Sequence, residues 1–463
     1  GGSSGGGGPR GETPAGRPGP GPAEVCWTPP SRVRLADVRP WPAGRPRAAL
    51  HRHGMREDGF PPAAALTRSG RTQYPHTRRL LVSTNAAASH DAVEDHPVSA
   101  LELFFDLVFV FAVSQLSHHL LEHVTWRGAA ETLVLLLAVF AVWYQTTWTA
   151  FVVPADRPAT RWVVFAVMLV GLFMNAAITR AFEGAGWAFV VPLLAIQLGR
   201  TAWTMRSAVD ATLREHFFRT FLWLLATAPL WLAGAAADAE ARLLWWALAA
   251  GVELIGQWMA HPVPGRRLHS ANVPFPGGHV LERCRLFLIL ALGETVLTTG
   301  TAIVAAPTTL VTVLTGAAAM VSVMALWVLA FLRTGELVLQ HVAQTADPMR
   351  ATRRAGDAVL VMFAGLIAVA VANETVIAHP HGHTSGATSL LLFGGLVLFL
   401  GAQAWYVRAF AVGGARLRLL GTGALGLAGG AALLVPPYVT LILAAATLGA
   451  LAALDQRSAP SAA

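Results

Sequence analysis

Two carboxylates four residues apart, Glu102 and Asp106, stand inside the apolar run L-E-L-F-F-D-L-V-F-V-F-A-V-S-Q at 101–115. On a helix that spacing puts both acids on one face, about one turn apart, with Ser99, Val113 and Ser117 near the same stripe. With a helix start near Val98, Asp106 lies about 12 Å along the axis, deep in hydrocarbon if the helix spans a membrane. A carboxylate at such a depth is costly, and faces a bundle interior, a partner charge or a water-filled path. The chemistry within reach is proton binding and release, ion passage, or a structural ion pair between helices.

A second polar set lies in the run H-V-L-E-R-C-R-L-F-L-I-L-A-L-G-E-T-V at 279–296, which carries His279, Glu282, Arg283, Arg285 and Glu294. Arg283 and Glu294 share a helix face but stand about 16 Å apart along it, so they cannot pair with each other. If the two runs lie parallel and side by side, Arg283 or Arg285 comes level with Glu102 and Asp106, and buried charges persist through such pairing. The alternative for both arginines is to snorkel to the membrane surface. Glu294, with Thr295, Thr298 and Thr299 nearby, is expected to face a partner or water. Arg200 and Glu253 are central in their own runs and can pair with each other, as can several other combinations. Other polar groups within apolar runs are Gln145, Asn175, Gln197, Gln257, Asn373 and Glu374, and most of the amides are expected to make interhelical hydrogen bonds.

The elements that must position these groups follow from composition. The 463 residues are 54% hydrophobic and 13% charged, with mean hydropathy +0.52, the profile of a membrane protein. A net charge of +8 and a pI near 10.7 raise nucleic acid binding, but there is no lysine, and the arginines do not line one periodic face. Thirteen of the 34 arginines precede residue 96, and most others flank apolar runs, where they read as topology signals. Cys26 and Cys284 cannot build a disulfide framework.

Residues 1–95, rich in Gly, Pro and Arg, lack apolar periodicity and are expected to be disordered. Twelve apolar runs follow within 96–456, most near the 20 residues a span requires, and 457–463 form a short tail. The first run, starting near residue 98, is expected to act as its own insertion signal. Alternate loops hold 14 arginines against three (Arg127, Arg180 and Arg242) in the others, which predicts both termini in the cytoplasm of a multi-pass cell-membrane protein. The fold expected is all-α, a polytopic helical bundle of about 12 spans. Aligning Leu101-Glu102 with Leu281-Glu282 divides it into halves, 96–270 and 271–456, which would be parallel six-helix repeats.

The segment H-P-V-S-A-L-E-L-F-F-D-L-V-F-V-F-A resembles the opening of the bacterial low-temperature-requirement A family of polytopic membrane proteins, and the 279–296 run resembles that family's other signature. The resemblance covers about 97–455 and implies a membrane bundle, with little said about activity.

His118-His119 and the loop His379-Pro-His381-Gly-His383 invite a metal, but no cysteine or carboxylate cluster completes a tetrahedral site, so neither metal nor cofactor is expected. No nucleotide or hydrolase motif occurs in a plausible context. The leading expectation is an ion-coupled or proton-coupled transporter of a small solute, with Asp106 and Glu294 titrating. One alternative is a cation channel, because F-D-L-V-F-V-F-A is faintly similar to the F-S-D motif of a potassium channel family, with a departure at the Ser position. Another is a lipid-modifying enzyme using His279 and Glu282 as acid and base. The partners expected are the bilayer, a small solute or ion, and a second copy of the chain, with no nucleic acid.

Overall fold

A computed structural model describes residues 98–153, 157–265, 277–332 and 347–457, together with residues 1–2 and a few positions between 334 and 345. The N-terminal extension expected to be disordered lies outside the described residues, apart from its first two, as do Arg266, Arg267, Arg333 and residues 458–463. Among the described residues the long elements are all helices: α1 (Ala100–Glu122), α2 (Trp126–Val152), α3 (Pro158–Ala176), α4 (Gly186–Ser207), α5 (Ala211–Ala236), α6 (Ala239–Trp258), α7 (Gly278–Ala305), α8 (Leu310–Phe331), α9 (Pro348–Ala378), α10 (Gly386–Ala409), α11 (Ala415–Ala432) and α12 (Pro437–Arg457). They occupy the places of the twelve apolar runs. Ten are long and apolar enough to cross a membrane. The other two are α6, which carries Glu240, Arg242 and Glu253, and α11, which is glycine-rich and opens with Arg416 and Arg418. The chain is an all-α polytopic membrane bundle.

Helix starts follow capping chemistry, because the first amide groups of a helix need acceptors that lipid cannot supply. Thr125, Asp210, Asp238, Thr309 and Asp347 each accept a backbone N–H through the side chain. Ser99 and Glu102 form a reciprocal capping box at the start of α1. Where helices must approach closely, glycine makes it possible. A Cβ on Gly395 of α10 would fall 2.7 Å from the Gly365 carbonyl oxygen of α9, and one on Gly365 would fall 2.5 Å from that of Gly395. At that crossing α10 passes through a π-helical stretch, Leu390–Gly394.

The helix neighbours recur. Among the first six, α1 packs on α2 and α3, α3 on α4, α4 on α5, α5 on α6, and α2 on α6. Among the last six, α7 packs on α8 and α9, α9 on α10, α10 on α11, α11 on α12, and α8 on α12. The second scheme is the first moved on by six helices, except that α2 also packs on α4 with no equal packing of α8 on α10. The two sets meet where α1 packs on α7 and α9. Contacts between the first turns of α1 and α7 mean that both helices start at the same end of the bundle, the arginine-rich one.

Candidate functional site

The capping box does more than start α1. It turns Glu102 so that Oε2 accepts from Ser99 N (2.8 Å) and Ser99 Oγ (2.9 Å), which leaves Oε1 for the neighbouring helix. That oxygen receives Arg283 Nη1 at 3.0 Å and lies 3.2 Å from His279 Nε2, both from α7. One turn further along α1, Asp106 Oδ1 accepts from Arg283 Nη2 (2.5 Å) and from Trp143 Nε1 of α2 (2.7 Å). Arg283 Nη2 also reaches the Glu102 carbonyl at 3.3 Å. The Phe105 ring lies 5.6 Å from the guanidinium carbon, and Phe287 stacks on Trp143 at 4.2 Å, so apolar walls close the site. Exposure is 4% for Glu102, 0% for Asp106, 1% for Arg283 and 8% for His279, so water screens none of these charges.

Counted by charge, the cluster has two carboxylates, one permanent guanidinium and one imidazole. It carries one net negative charge when His279 is neutral and becomes neutral when a single proton is added. Asp106 Oδ2 and His279 Nδ1 are buried without a hydrogen-bond partner among the described residues, and either atom can receive that proton. A buried net charge is far more costly than a buried neutral set, so the arrangement favours one exchangeable proton.

The other expected residues are placed apart from this cluster. Arg283 is the arginine that meets the acids. Arg285 pairs instead with Glu282 on its own helix at 3.5 Å, both side chains about a third exposed. Two residues along a helix is a turn of about 200°, so only one of the two arginines can face α1. Glu282 pairs with Arg285 and His279 with Glu102, so no bond joins the expected acid-base couple among the described residues. Glu294 is half-buried and has no hydrogen bond or ion pair among the described residues, so of the two expected surroundings the protein partner is not found.

Arg200 and Glu253 do not pair. Arg200, 3% exposed, gives its guanidinium to Val142 O (3.1 Å), Thr146 Oγ1 (3.0 Å) and Thr201 Oγ1 (3.2 Å). These hydroxyls and a carbonyl along α2 and α4 supply acceptors nearer than any carboxylate. Glu253 is held by neutral donors: Thr227 Oγ1 (2.9 Å) and Trp231 Nε1 (2.8 Å) on Oε1, and Gln197 Nε2 (3.1 Å) on Oε2. Among the amides, Asn175 Nδ2 donates to Val108 O at 2.7 Å as expected of an interhelical bond. Asn373, fully buried, has a partner for neither amide atom among the described residues.

Three groups have buried roles that the sequence reading did not assign. Trp143, the indole that orients Asp106, looks like any apolar residue of a span. Arg418 was read as a loop signal, yet it is 2% exposed and donates to Gln403 Oε1 (3.1 Å), Asp455 Oδ1 (3.4 Å) and Leu329 O (2.7 Å). The signal available was Asp455 itself, an acid at the end of the apolar run L-A-A-L-D. At the opposite end of the bundle, buried His119 places Nε2 3.3 Å from Glu131 Oε2, and Arg127 donates to Oε1 of the same acid at 2.8 Å.

Comparison with known proteins agrees with this architecture. The family described as bacterial low temperature requirement A protein (LtrA) matches residues 97–453. An uncharacterized protein of Rhizobium meliloti (strain 1021) is 30% identical over 314 residues, 66% of this chain and 76% of its own length. No solved structure matches the chain. The match spans both polar runs and all twelve helices up to the last turn of α12, and the chain belongs to the bacterial low temperature requirement A family.

Proposed function

We propose that the chain is a proton-coupled transporter of a small solute, set in the cell membrane with both termini in the cytoplasm, and that the Glu102, Asp106, Arg283 and His279 cluster carries the coupling proton. One observation supports this above the rest. Two carboxylates share one guanidinium at 4% exposure or less, with an imidazole 3.2 Å away, so the set is neutral only with a proton bound. Gaining or losing that proton changes the charge of a dry site. The bundle then favours different packing in the two states, as coupling requires. The cluster sits where the first six helices meet the last six, the interface that moves in transporters built from repeats. The orientation rests on the arginine distribution.

The test is flux into proteoliposomes with a panel of solutes and ions, with and without an imposed pH gradient. In Asp106→Asn the amide oxygen still accepts from Trp143, and Glu102 remains to neutralise Arg283, so the protein folds and inserts. Uptake that depends on the gradient is lost. Gradient-driven uptake at the wild-type rate in a folded Asp106→Asn protein removes this carboxylate from the mechanism. Reporters fused after Asp347 and after Gly382 are expected on the cytoplasmic and the opposite side respectively; a cytoplasmic signal after Gly382 overturns the orientation.

A further inference from the structure

The geometry points to a proton-operated latch at the end of the bundle opposite the Arg283 cluster. His119 and His123, when protonated, tie α1 to α2 and to the α3–α4 connection. The latch shares no residue with the Arg283 cluster. On the orientation proposed above it faces outside the cell, but neither the latch nor its test depends on transport.

Each ring nitrogen of the pair faces an oxygen. His119 Nδ1 lies 3.4 Å from the Thr179 carbonyl oxygen, and Nε2 lies 3.3 Å from Glu131 Oε2. One turn on, His123 Nδ1 lies 3.1 Å from the His119 carbonyl oxygen, and Nε2 lies 3.2 Å from Glu183 Oε1. Carbonyls and carboxylates only accept. A neutral imidazole has one N–H, so either tautomer turns a lone pair toward an oxygen in both rings, whereas an imidazolium donates from both nitrogens. Water does not relieve His119: the residue is 0% exposed, and Nε2 has no hydrogen-bond partner among the described residues. Protonated, it has an acceptor at hand on each side.

The surrounding charges favour that proton. Glu131, 5% exposed, is split as Glu102 is: Oε1 takes Arg127 Nε at 2.8 Å, which leaves Oε2 to His119. Arg127 also donates to the Ala239 carbonyl of α6 at 2.9 Å, and the exposed Glu240 of that helix is 4.0 Å from it. The α3–α4 connection contributes Glu183, half exposed, and the Phe182 ring, 6.2 Å from that of His119. Arg242 of α6 is committed to the carbonyls of Ala181, Gly234 and Ala237. Arg180, and His118 and Glu122 on α1, are exposed. With both imidazoles neutral, Glu131, Glu183 and Arg127 sum to one net negative charge, and a single proton neutralises the set. Charged together, the two rings stand 4.8 Å apart, each opposite its own carboxylate, which offsets their repulsion.

Every one of these contacts except the His123–His119 bond crosses between elements. Glu131 belongs to α2, while Thr179 and Glu183 lie between α3 and α4. Gly128 brings the start of α2 hard against the latch, since a Cβ there would overlap the His123 carbonyl. His119 follows Asp106 by 13 residues, about 20 Å along α1. The latch therefore fixes the far end of the helix that carries the two buried acids.

The test is hydrogen–deuterium exchange of the purified full chain in detergent, read over residues 177–186 and corrected for the intrinsic effect of pH on exchange. Protection there is expected to be at least tenfold greater at pH 5.5 than at pH 8.5. His119→Gln keeps a donor for the Thr179 carbonyl but binds no proton, and His123→Gln makes the same change at a side chain a third exposed. Each is expected to reduce the gain at least threefold. The second variant decides the matter if the first does not fold. A wild-type gain below tenfold, or a gain reduced less than threefold in a folded variant, overturns the latch. Flux plays no part in this readout, so loss of the latch leaves the transport reading standing, and failure of transport leaves the latch.

Discussion

The first six helices and the last six use nearly the same neighbour scheme, and the helices that correspond in it, α4 and α10, each carry a buried glutamine, Gln197 and Gln403. Around Gln403 the polar interior is locked. Arg418 from α11 spans Gln403, Asp455 of α12 and the Leu329 carbonyl of α8, and nearby Glu282 is covered by Arg285. Around Gln197 it is open only in lacking a cation: Glu253 of α6 has hydroxyl, indole and amide donors in place of a guanidinium. One arrangement of helices thus supports two opposite uses of buried polarity, depending on whether an arginine reaches the acid. The closed set ties α8, α10, α11 and α12 together through charge; the open one ties α4, α5 and α6 through neutral donors.

The largest expected effect comes from opening the closed side. Arg418→Met strands Asp455 and a buried carbonyl, and is expected to cost about 3–5 kcal/mol, the range for removing one partner of a buried pair. Thermal unfolding of the purified protein measures it. Glu253→Gln in the same assay is expected to cost under about 1 kcal/mol, since neutral donors tolerate a neutral acceptor. Equal losses would erase the distinction between the two sides.

A smaller effect separates them by pH. His261 lies in the open half with its folded-state pKa lowered from 6.5 to about 3 by burial, then by His216 and Arg353. Between those values the unfolded chain binds a proton that the folded chain does not. Stability from this group is therefore complete above pH 6.5 and falls as pH drops toward 3, by up to about 1.4 kcal/mol per pH unit. His261→Gln is expected to flatten that slope in melting temperature against pH. Loss of Asp455 in the closed half should leave it in place. An unchanged slope in His261→Gln assigns the pH dependence elsewhere.

The smallest effect is on Glu282 and Arg285, whose side chains are 32% and 39% exposed. Glu282→Gln is expected to change stability by about 0–1 kcal/mol, as for other screened pairs, and to leave the melting temperature within a degree or two. A loss comparable to that of Arg418→Met would mean that this pair also holds the closed half together.

Much of the fold was legible before any coordinates, because a membrane span writes itself as an uninterrupted apolar run and short polar loops fix its ends. The twelve helices, a start of α1 near residue 98, and the placing of Glu102 and Asp106 on one face all follow from local rules: span length, rise per residue and helical period. A parallel partner arginine for those acids was also anticipated, since charge at that depth demands one. Which arginine was not. Arg283 and Arg285 are equally charged and nearly equally deep, and only the rotation of α7 against α1 selects the first. The same holds for Arg200, which found carbonyl and hydroxyl acceptors on α2 and α4 in place of Glu253, and for Arg418, which turned inward to Asp455 from what read as a loop position. Trp143 and Asp106 are 37 residues apart, and Arg283 and Asp106 are 177 apart. Side-chain type and depth are properties of the local sequence, but the partner of a buried charge is set by how helices rotate and pack, and that is decided by the sum of contacts across the whole bundle.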